Sequence, residues 1–385
     1  MNKDRKIRIL ILMQMIVIAI VAVSIPALIT TFQKEYDLTI AQSAIIPIIS
    51  TLAGFITNIL IASVSAKMGL KKLNLYFLII GLIASTTLAF FNNIYIFLFG
   101  ILLVGINTAF GLTNVSTIFA HLGIKYQNYG VFHAFFGIGG IIAPAIISFL
   151  LAHNINYRYI YYLLIPVFAT FIAFVAVSKL IENKKYEKIK IKEALGIIRK
   201  SFILPVLIII ALQAGSEQGI VTWSGNLFSD VFSYSAESAS LFLSFYWIVF
   251  TTARLLIQFV ENRIGKLNTV KLSLILVVCF LFLLLVTNNP IFFVLLAAAM
   301  APIFPLMQKY SAQKLLPREV GLFNGMVFAF ASMGNVIIAG SMGGLGDYNI
   351  KLSYLIPVFC SLIILAIIFH LVSLKKSGKV KVSPR

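Results

Sequence analysis

The sequence predicts an all-α membrane protein with twelve transmembrane helices in two pseudo-symmetric bundles of six. The first observation is composition: the 385 residues are 60% hydrophobic and only 11% charged, with a mean hydropathy of +1.01. The second is a series of apolar runs of about 20 residues, which are long enough to cross a bilayer and must be helical because hydrocarbon cannot satisfy exposed backbone groups. The third is a polar segment that divides these runs into six and six.

Twelve apolar runs follow one another along the chain, with predicted bounds 7–31, 38–65, 73–91, 94–119, 131–152, 158–180, 203–229, 236–261, 269–287, 290–313, 320–343 and 350–373. The first run follows a basic N-terminal segment, as the apolar part of a secretory signal would. It is too long for a signal peptide and lacks a small-residue cleavage site, so we expect it to remain as span 1.

The basic residues predict the direction in which the spans run. The chain has 31 Lys and Arg against 12 Asp and Glu, a formal net charge of +19. Basic residues precede span 1, follow spans 2, 4, 6, 8 and 10, and end the chain, whereas only Lys34, Arg158 and Lys351 fall at the other ends of the spans. The positive-inside rule therefore predicts a multi-pass protein of the cell membrane with both termini in the cytoplasm. This distribution argues against nucleic-acid binding.

One long polar stretch, residues 181–200, is rich in Lys with scattered Glu. We therefore expect three regions: an N-terminal six-helix bundle at 1–180, a cytoplasmic linker at 181–202, and a C-terminal six-helix bundle with a short basic tail at 203–385. The linker is interpreted as a solvated segment that partly forms an amphipathic helix against anionic headgroups. A regulatory site is the alternative interpretation.

A weak internal repeat supports the division into two halves. Aligning Gly69, between spans 2 and 3, with Gly265, between spans 8 and 9, gives an offset of 196 residues. The same offset aligns IIAP (141–144) in span 5 with IIAG (337–340) in span 11. Parallel six-helix repeats with a binding site at their interface are one known architecture of membrane transporters.

The loop ASVSAKMGLKK (62–72) resembles the signature between spans 2 and 3 of the major facilitator superfamily. The matching positions are Lys67, Gly69, Lys71 and Lys72. Ala66 stands where the family has an Asp, so the acid of the family's charge relay is missing here. Arg263 and Gly265 belong to a second, degenerate copy. By this resemblance Lys67, Gly69 and Arg263 are expected to act in gating.

Four further segments resemble the fucose-permease-like sugar transporters of that superfamily, namely HAFFGIGGIIAP (133–144), GSEQGIVTW (215–223), TTARLL (251–256) and APIFPLMQ (301–308). The resemblance implies the major facilitator fold and alternating access. It also implies a site between the halves, lined by spans 1, 4, 7 and 10 with contributions from 5, 8 and 11, and a small polar solute of the sugar class. The expected partners are this solute, protons and the lipid bilayer, and the expected oligomeric state is a monomer.

Glu217 is the acid that lies deep within a span, about 14 residues into span 7 and near mid-bilayer. A charge at that depth is costly and indicates a functional site. We interpret Glu217 as a proton-coupling or substrate-binding carboxylate, and a carboxylate fixed by neighbouring donors is the alternative. Spans 1 to 6 contain no acid, although the fucose permease is expected to use carboxylates there. Glu217 would then carry the coupling nearly alone, and uniport or coupling to another ion stays open.

Arg254 lies inside span 8, about 10 Å nearer the cytoplasm than Glu217. We expect a gating residue that bonds helix-end carbonyls or extends towards the cytoplasm. A direct ion pair with Glu217 would require a favourable stagger of the two helices. His133, near the cytoplasmic end of span 5, is expected to pack at a helix boundary rather than shuttle protons.

The predicted substrate-binding residues share polar or aromatic side chains inside spans: Glu217, Gln213, Trp223, Asn114, Asn107, Tyr246, Phe304, Gln308 and Asn335. Amides can bond the hydroxyls of a sugar, and aromatic rings can stack on its apolar C–H faces. The alternatives are that the amides join neighbouring helices and that the rings pack in the core or face lipid.

The sequence contains no metal-ligand cluster, nucleophile triad or phosphate-binding loop, so we expect neither an enzyme nor a cofactor. Gly137, Gly139 and Gly140 lie within an apolar span and are interpreted as sites of close helix packing. Two other functions stay open: an exporter of drugs or other apolar metabolites with the same fold, and a membrane receptor or sensor that does not transport.

Overall fold

The structure is a computed structural model that describes residues 3–120, 122, 123, 126, 129–178, 181, 196, 199–315 and 317–376. Within these ranges the chain forms helices and turns and no strand, and twelve helices are long and apolar enough to cross a membrane. The predicted fold class is therefore confirmed. Most of the predicted linker, at 181–202, and the end of the basic tail, 377–385, lie outside the described residues.

The N-terminal half contains spans 1 to 6, formed by Lys3–Ala27, Ile45–Met68, Leu70–Phe90, Ile94–Ala120, Tyr129–Ala152 and Tyr159–Val177, with short helices Ile29–Tyr36 and Ile40–Ser43 between spans 1 and 2. The C-terminal half contains spans 7 to 12. Span 7 is Ile203–Thr222 with the extensions Ser224–Asn226 and Leu227–Val231, span 8 is Ala236–Ile264, and span 9 is Lys266–Thr287. Span 10 is Ile291–Met300 with Ile303–Ala312, span 11 is Pro317–Gly334 with Asn335–Ala339 and Gly340–Ser353, and span 12 is Leu355–Lys376. We call the end where span 1 begins and span 12 ends the basic face, and the other end the opposite face.

The turns after spans 2 and 8 have the same backbone conformation. Gly69 has φ 79° and ψ 155°, and Gly265 has φ 81° and ψ 158°. Each glycine ends one span and begins the next, and the positive φ is a conformation that side-chain-bearing residues rarely adopt. The two glycines aligned by the internal repeat therefore occupy equivalent turns.

Glycine contacts inside each half repeat in the same way. A Cβ at Gly139 of span 5 would lie 2.3 Å from the carbonyl oxygen of Ile16 in span 1. A Cβ at Gly334 of span 11 would lie 1.9 Å from the carbonyl oxygen of Ala211 in span 7. Small residues let helix backbones approach closely where no hydrophobic effect drives association. Spans 1 and 5 thus pack as spans 7 and 11 do, which supports the two-fold relation of the halves.

Span 11 departs most from its predicted bounds. Its apolar run suggested an end at residue 343, but helix continues after the π-helical segment Asn335–Ala339 until Asn349, whose extended backbone (φ −163°, ψ 109°) interrupts the helix Gly340–Ser353. The extension carries Asp347, whose carboxylate accepts hydrogen bonds from the Thr39 hydroxyl at 2.8 Å and the Ala41 amide at 2.7 Å. Contact with the N-terminal half holds this polar continuation in place, which hydropathy does not reveal.

The halves are joined at the opposite face and in the middle. Gln33 and Asn226 exchange two amide hydrogen bonds, of 3.2 and 2.7 Å, and Ser240 donates to the Ala27 carbonyl at 3.0 Å. Deeper in the molecule, Ser244 of span 8 donates to the Ile141 carbonyl of span 5 at 2.9 Å. Together with the Asp347 contacts, these bonds join the two halves at the opposite face and in the middle of the molecule.

Candidate functional site

Glu217 lies on span 7, half-buried in the middle of the bundle. Gln213 is one helical turn nearer the basic face, on the same side of the helix. The Glu217 carboxyl interacts with the Gln213 amide and, at longer range, with the Arg254 guanidinium. The Gln213 amide nitrogen also lies 3.4 Å from the Met300 carbonyl oxygen of span 10, which is a weak hydrogen bond. The Glu217 carboxyl is thus held by Gln213 of its own span and lies in electrostatic range of Arg254 of span 8.

Arg254 lies on span 8 and is also half-buried. Its guanidinium lies over the Phe250 ring, 4.2 Å from the centroid, and its Nε has no hydrogen-bond partner. Glu217 is within electrostatic range, but the two described side chains do not form a direct ion pair. Arg254 is therefore a deep cation without a bound carboxylate.

His133 of span 5 faces Arg254 across the interface of the halves. Spans 5 and 8 run antiparallel, and Cβ atoms built on Gly140 and Gly137 would touch Trp247 and Thr251. One further turn towards the basic face brings His133 opposite Arg254, and the two side chains interact electrostatically. His133 is exposed and lies four residues from the basic-face end of span 5. It therefore lies close to the helix boundary where the sequence places it, within electrostatic range of Arg254.

Two of the predicted stacking residues are fully buried in this conformation. The Trp223 indole donates from Nε1 to the Ala339 carbonyl at 2.8 Å. The Tyr246 ring packs between Phe250 and Phe293, with centroids 5.8 and 5.0 Å away. Neither ring has a free face for a solute here. Phe304, the third predicted aromatic contact, is half-buried on span 10, 6.4 Å from the Phe328 ring centroid.

The two span-4 asparagines lie inside the N-terminal half. Asn107 is fully buried and donates to the Phe77 carbonyl of span 3 at 2.7 Å, so its amide joins two helices. Asn114 is 3% exposed, and neither its amide oxygen nor its nitrogen has a hydrogen-bond partner. Both share a face with Gly111, where a Cβ would meet Ile18 of span 1. The Asn107 amide thus joins helices in this conformation, whereas the Asn114 amide has no hydrogen-bond partner and could still bind a solute.

The other predicted amides belong to the C-terminal half. Gln308 is half-buried on span 10. Asn335 is half-buried at the start of the π-helical segment of span 11, and its side-chain oxygen has no partner. Such segments inside α-helices are frequent at functional sites. Asn335 is therefore placed where the regular helix is interrupted.

The predicted gating residues lie at the basic face. Gly69 forms the turn already described, Lys67 is in the last turn of span 2 with its side chain outside the described structure, and Arg263 is exposed near the end of span 8. Glu261, which sequence reasoning did not single out, pairs with Lys309 at 2.7 Å and Lys266 at 3.8 Å. This acid ties span 8 to spans 9 and 10.

A second polar cluster surrounds Arg158 at the opposite face. Its guanidinium donates to the Leu88 and Phe91 carbonyls at 2.8 and 2.7 Å and pairs with Glu35 at 2.5 Å. Tyr157 donates to the same carboxylate, and its burial, together with the adjacent Glu35 charge, raises the pKa of the Tyr157 hydroxyl. A pocket of about 430 Å³ lies beside this cluster. The donors of Arg158 are used internally, so we interpret the cluster as structural.

Among the described residues, no group of three or more His, Cys, Asp or Glu side chains could hold a metal ion, and Cys279 and Cys360 are not disulfide-bonded. The site is therefore a polar group of Glu217, Gln213 and Arg254 within the C-terminal half, with His133 of the N-terminal half in electrostatic range of Arg254. This arrangement can bind a polar solute and carry charge.

A family model of the major facilitator superfamily matches residues 10–294. The chain belongs to the major facilitator superfamily. It is thus a multi-pass membrane protein of a transporter family rather than of an enzyme family. A comparison with curated proteins finds no match.

The fold is similar to solved transporter structures over nearly the full length of this superfamily member. A mutant form of the nucleoside transporter NupG is 15% identical with a TM-score of 0.77, covering 96% of this chain and 99% of its own. A second NupG structure is 17% identical with a TM-score of 0.72, covering 98% and 100%. A bacterial homolog of the human lysosomal transporter Spinster, in an inward-facing and unoccupied conformation, is 14% identical with a TM-score of 0.76, covering 100% and 99%.

Proposed function

We propose that this superfamily member moves a small polar solute of the sugar class across the cell membrane by alternating access. The observation that carries the proposal is the pair of half-buried charged residues Glu217 and Arg254 inside spans 7 and 8, with His133 of the other half in electrostatic range of Arg254. Intramembrane ionisable residues that face a bundle interior mark solute and ion pathways. An exporter of apolar metabolites would have little use for a charged group at this depth.

The basic face is the cytoplasmic one in this proposal. Described basic residues crowd that face, as the positive-inside rule expects of the cytoplasm. The hydrogen bonds of Asp347, Gln33 and Ser240 close the other face. The conformation then corresponds to the state in which the site is closed towards the outside.

Glu217 is the proposed proton carrier. It is the acid nearest mid-bilayer, and no acid lies in the middle of spans 1 to 6. Glu217 shares the site with Arg254 but is not tied to it in a direct ion pair. A carboxylate held in this way can gain and lose a proton as the site faces each side in turn.

The sugar class of the solute is supported by the resemblance of spans 5, 7, 8 and 10 to the fucose-permease-like branch. One protein of similar fold is the nucleoside transporter NupG, and a nucleoside contains a sugar.

The test is solute uptake into proteoliposomes, using a panel of sugars and nucleosides with and without an inward proton gradient. We expect a gradient to accelerate uptake of one solute, and Glu217→Gln to abolish that acceleration while leaving solute exchange without a gradient. Glu237→Gln, the same change in the first turn of span 8, is the matched control. Full gradient-driven uptake by Glu217→Gln would rule out the coupling role, and uptake of apolar drugs alone would favour the exporter.

A further inference from the structure

Span 8 carries a row of hydrogen-bond donors that have no acceptor. Trp247, Thr251 and Arg254 are spaced by four and three residues and so share one face of the helix. The Trp247 Nε1, the Thr251 Oγ1 and the Arg254 Nε are all buried atoms without a hydrogen-bond partner. Trp247 is 8% exposed and Thr251 is 9% exposed. Unsatisfied buried donors are rare in proteins and each requires an explanation.

The packing against span 5 does not supply the missing acceptors. One turn nearer the opposite face, Ser244 on the same side of span 8 does find one, the Ile141 carbonyl at 2.9 Å. The next contacts are with glycines: a Cβ at Gly140 would lie 2.7 Å from the Trp247 ring, and one at Gly137 would lie 2.0 Å from the Thr251 hydroxyl oxygen. The contact is close, yet it leaves these donors unpaired.

The donor row combines one positive charge, that of Arg254, with two neutral donors, and the Glu217 carboxyl lies in electrostatic range of Arg254. An indole N–H and a guanidinium can only donate hydrogen bonds, and an ionised carboxylate can only accept them. Among the described residues, Arg254 has no direct ion pair. An unpaired arginine inside a membrane protein is costly, and the anion that pairs with it need not come from the chain.

We propose that the transported solute is a hydroxylated monocarboxylate, a sugar acid rather than a neutral sugar, and that Arg254, Thr251 and Trp247 bind its carboxylate. This inference rests on the proposed transport function and narrows its substrate class. Guanidinium and carboxylate form charge-assisted bonds that are about twice as strong as neutral ones. A phosphate ester fits less well, because about two negative charges would face one guanidinium with Glu217 close by.

The test is counterflow in proteoliposomes without a proton gradient, comparing D-glucuronate, D-glucose and glucose 6-phosphate. Glucuronate should exchange at least about tenfold faster than glucose, the effect of one charge-assisted bond. Exchange of glucose but not glucuronate would overturn this inference and leave the transport proposal intact. Faster exchange of the phosphate ester would overturn the assignment to a monocarboxylate. If none of the three exchanges, the proposed sugar-class transport fails, and this inference fails with it.

Substitutions of Arg254 distinguish a role in binding the solute from a role in the folding of the protein. Arg254→Gln should lower glucuronate exchange by at least about tenfold, and Arg254→Lys should restore part of it. Arg199→Gln, an exposed arginine outside the spans, is the matched control and should leave exchange unchanged. The melting temperature in detergent shows whether each variant folds.

Two near-isosteric changes keep the proposal testable if Arg254 variants fail to fold. Trp247→Phe and Thr251→Val each remove one donor while keeping most of the side-chain volume. Each should raise the half-saturation concentration for glucuronate roughly threefold to tenfold, with little effect on the maximal rate. Unchanged half-saturation concentrations in both variants would overturn the role of the donor row.

Discussion

The Arg158 side chain joins three segments at the opposite face. It bonds two carbonyls at the end of span 3 and pairs with Glu35 of the short helix after span 1, while its own backbone begins span 6. The Arg158 side chain is 6% exposed and that of Glu35 is 26% exposed, so water has only partial access to the ion pair. Removing one partner of such a pair leaves the other groups unsatisfied, which costs more than the pair contributes.

We predict that Arg158→Gln lowers the free energy of unfolding by about 3 kcal/mol, because Glu35 and two carbonyl groups lose their donor. The measurement is thermal unfolding in detergent. Lys34→Gln is the control, because Lys34 is exposed one residue before Glu35. Equal melting temperatures for the two variants would show that the Arg158 bonds are not structural.

At the scale of elements, the spans meet through glycines of two kinds. Gly334 is needed for space, because a Cβ there would press on the Ala211 carbonyl. Gly265 is needed for conformation: a Cβ would meet nothing within 4 Å, but its φ is +81°. The same substitution should therefore act by different mechanisms at these two positions.

We predict that Gly265→Ala destabilises the protein by about 1 to 2 kcal/mol, purely through the cost of positive φ. Gly344→Ala is the matched control, because Gly344 is exposed in the helix Gly340–Ser353, where a Cβ also meets nothing within 4 Å. Thermal unfolding of the two variants provides the comparison. A loss of stability at Gly344 as large as that at Gly265 would contradict the conformational explanation.

At the scale of the whole molecule, closure of the opposite face depends on a small number of polar contacts. Asp347 receives two hydrogen bonds from the N-terminal half, and Gln33 and Asn226 form the reciprocal amide pair. Alternating access requires that such contacts break when the halves rock about the site.

We predict that Asp347→Ala shifts the population towards a state open at the opposite face. A cysteine at Ala44, which is 5% exposed beside Gly343 of span 11, should react several-fold faster with a membrane-impermeant thiol reagent in this background. Cys279 and Cys360 are first replaced by serine. Asp230→Ala, an exposed acid, is the control, and an unchanged labelling rate in Asp347→Ala would remove Asp347 from the gate.

The candidate site could be predicted only in part. Glu217 and Arg254 were recognisable because a charge deep inside an apolar run stands out in any helix orientation. His133 lies near a span end and gave no such signal. Asn107 and Trp223 looked equally suited to a solute, but the structure uses one to join spans 3 and 4 and buries the other. In a membrane helix both lipid and protein neighbours are apolar, so hydropathy does not tell which face is turned inward.

The sequence by itself determined the number of spans, the fold class and the equivalence of the Gly69 and Gly265 turns. A bilayer admits few alternatives to helices of a set length, and the positive φ of these turns favours glycine. Only the tertiary structure decided which side chains meet. Spans 5 and 8 pack antiparallel through Gly137 and Gly140, and this register brings His133 opposite Arg254. Such contacts depend on the relative rotation and depth of two helices, which no local pattern encodes.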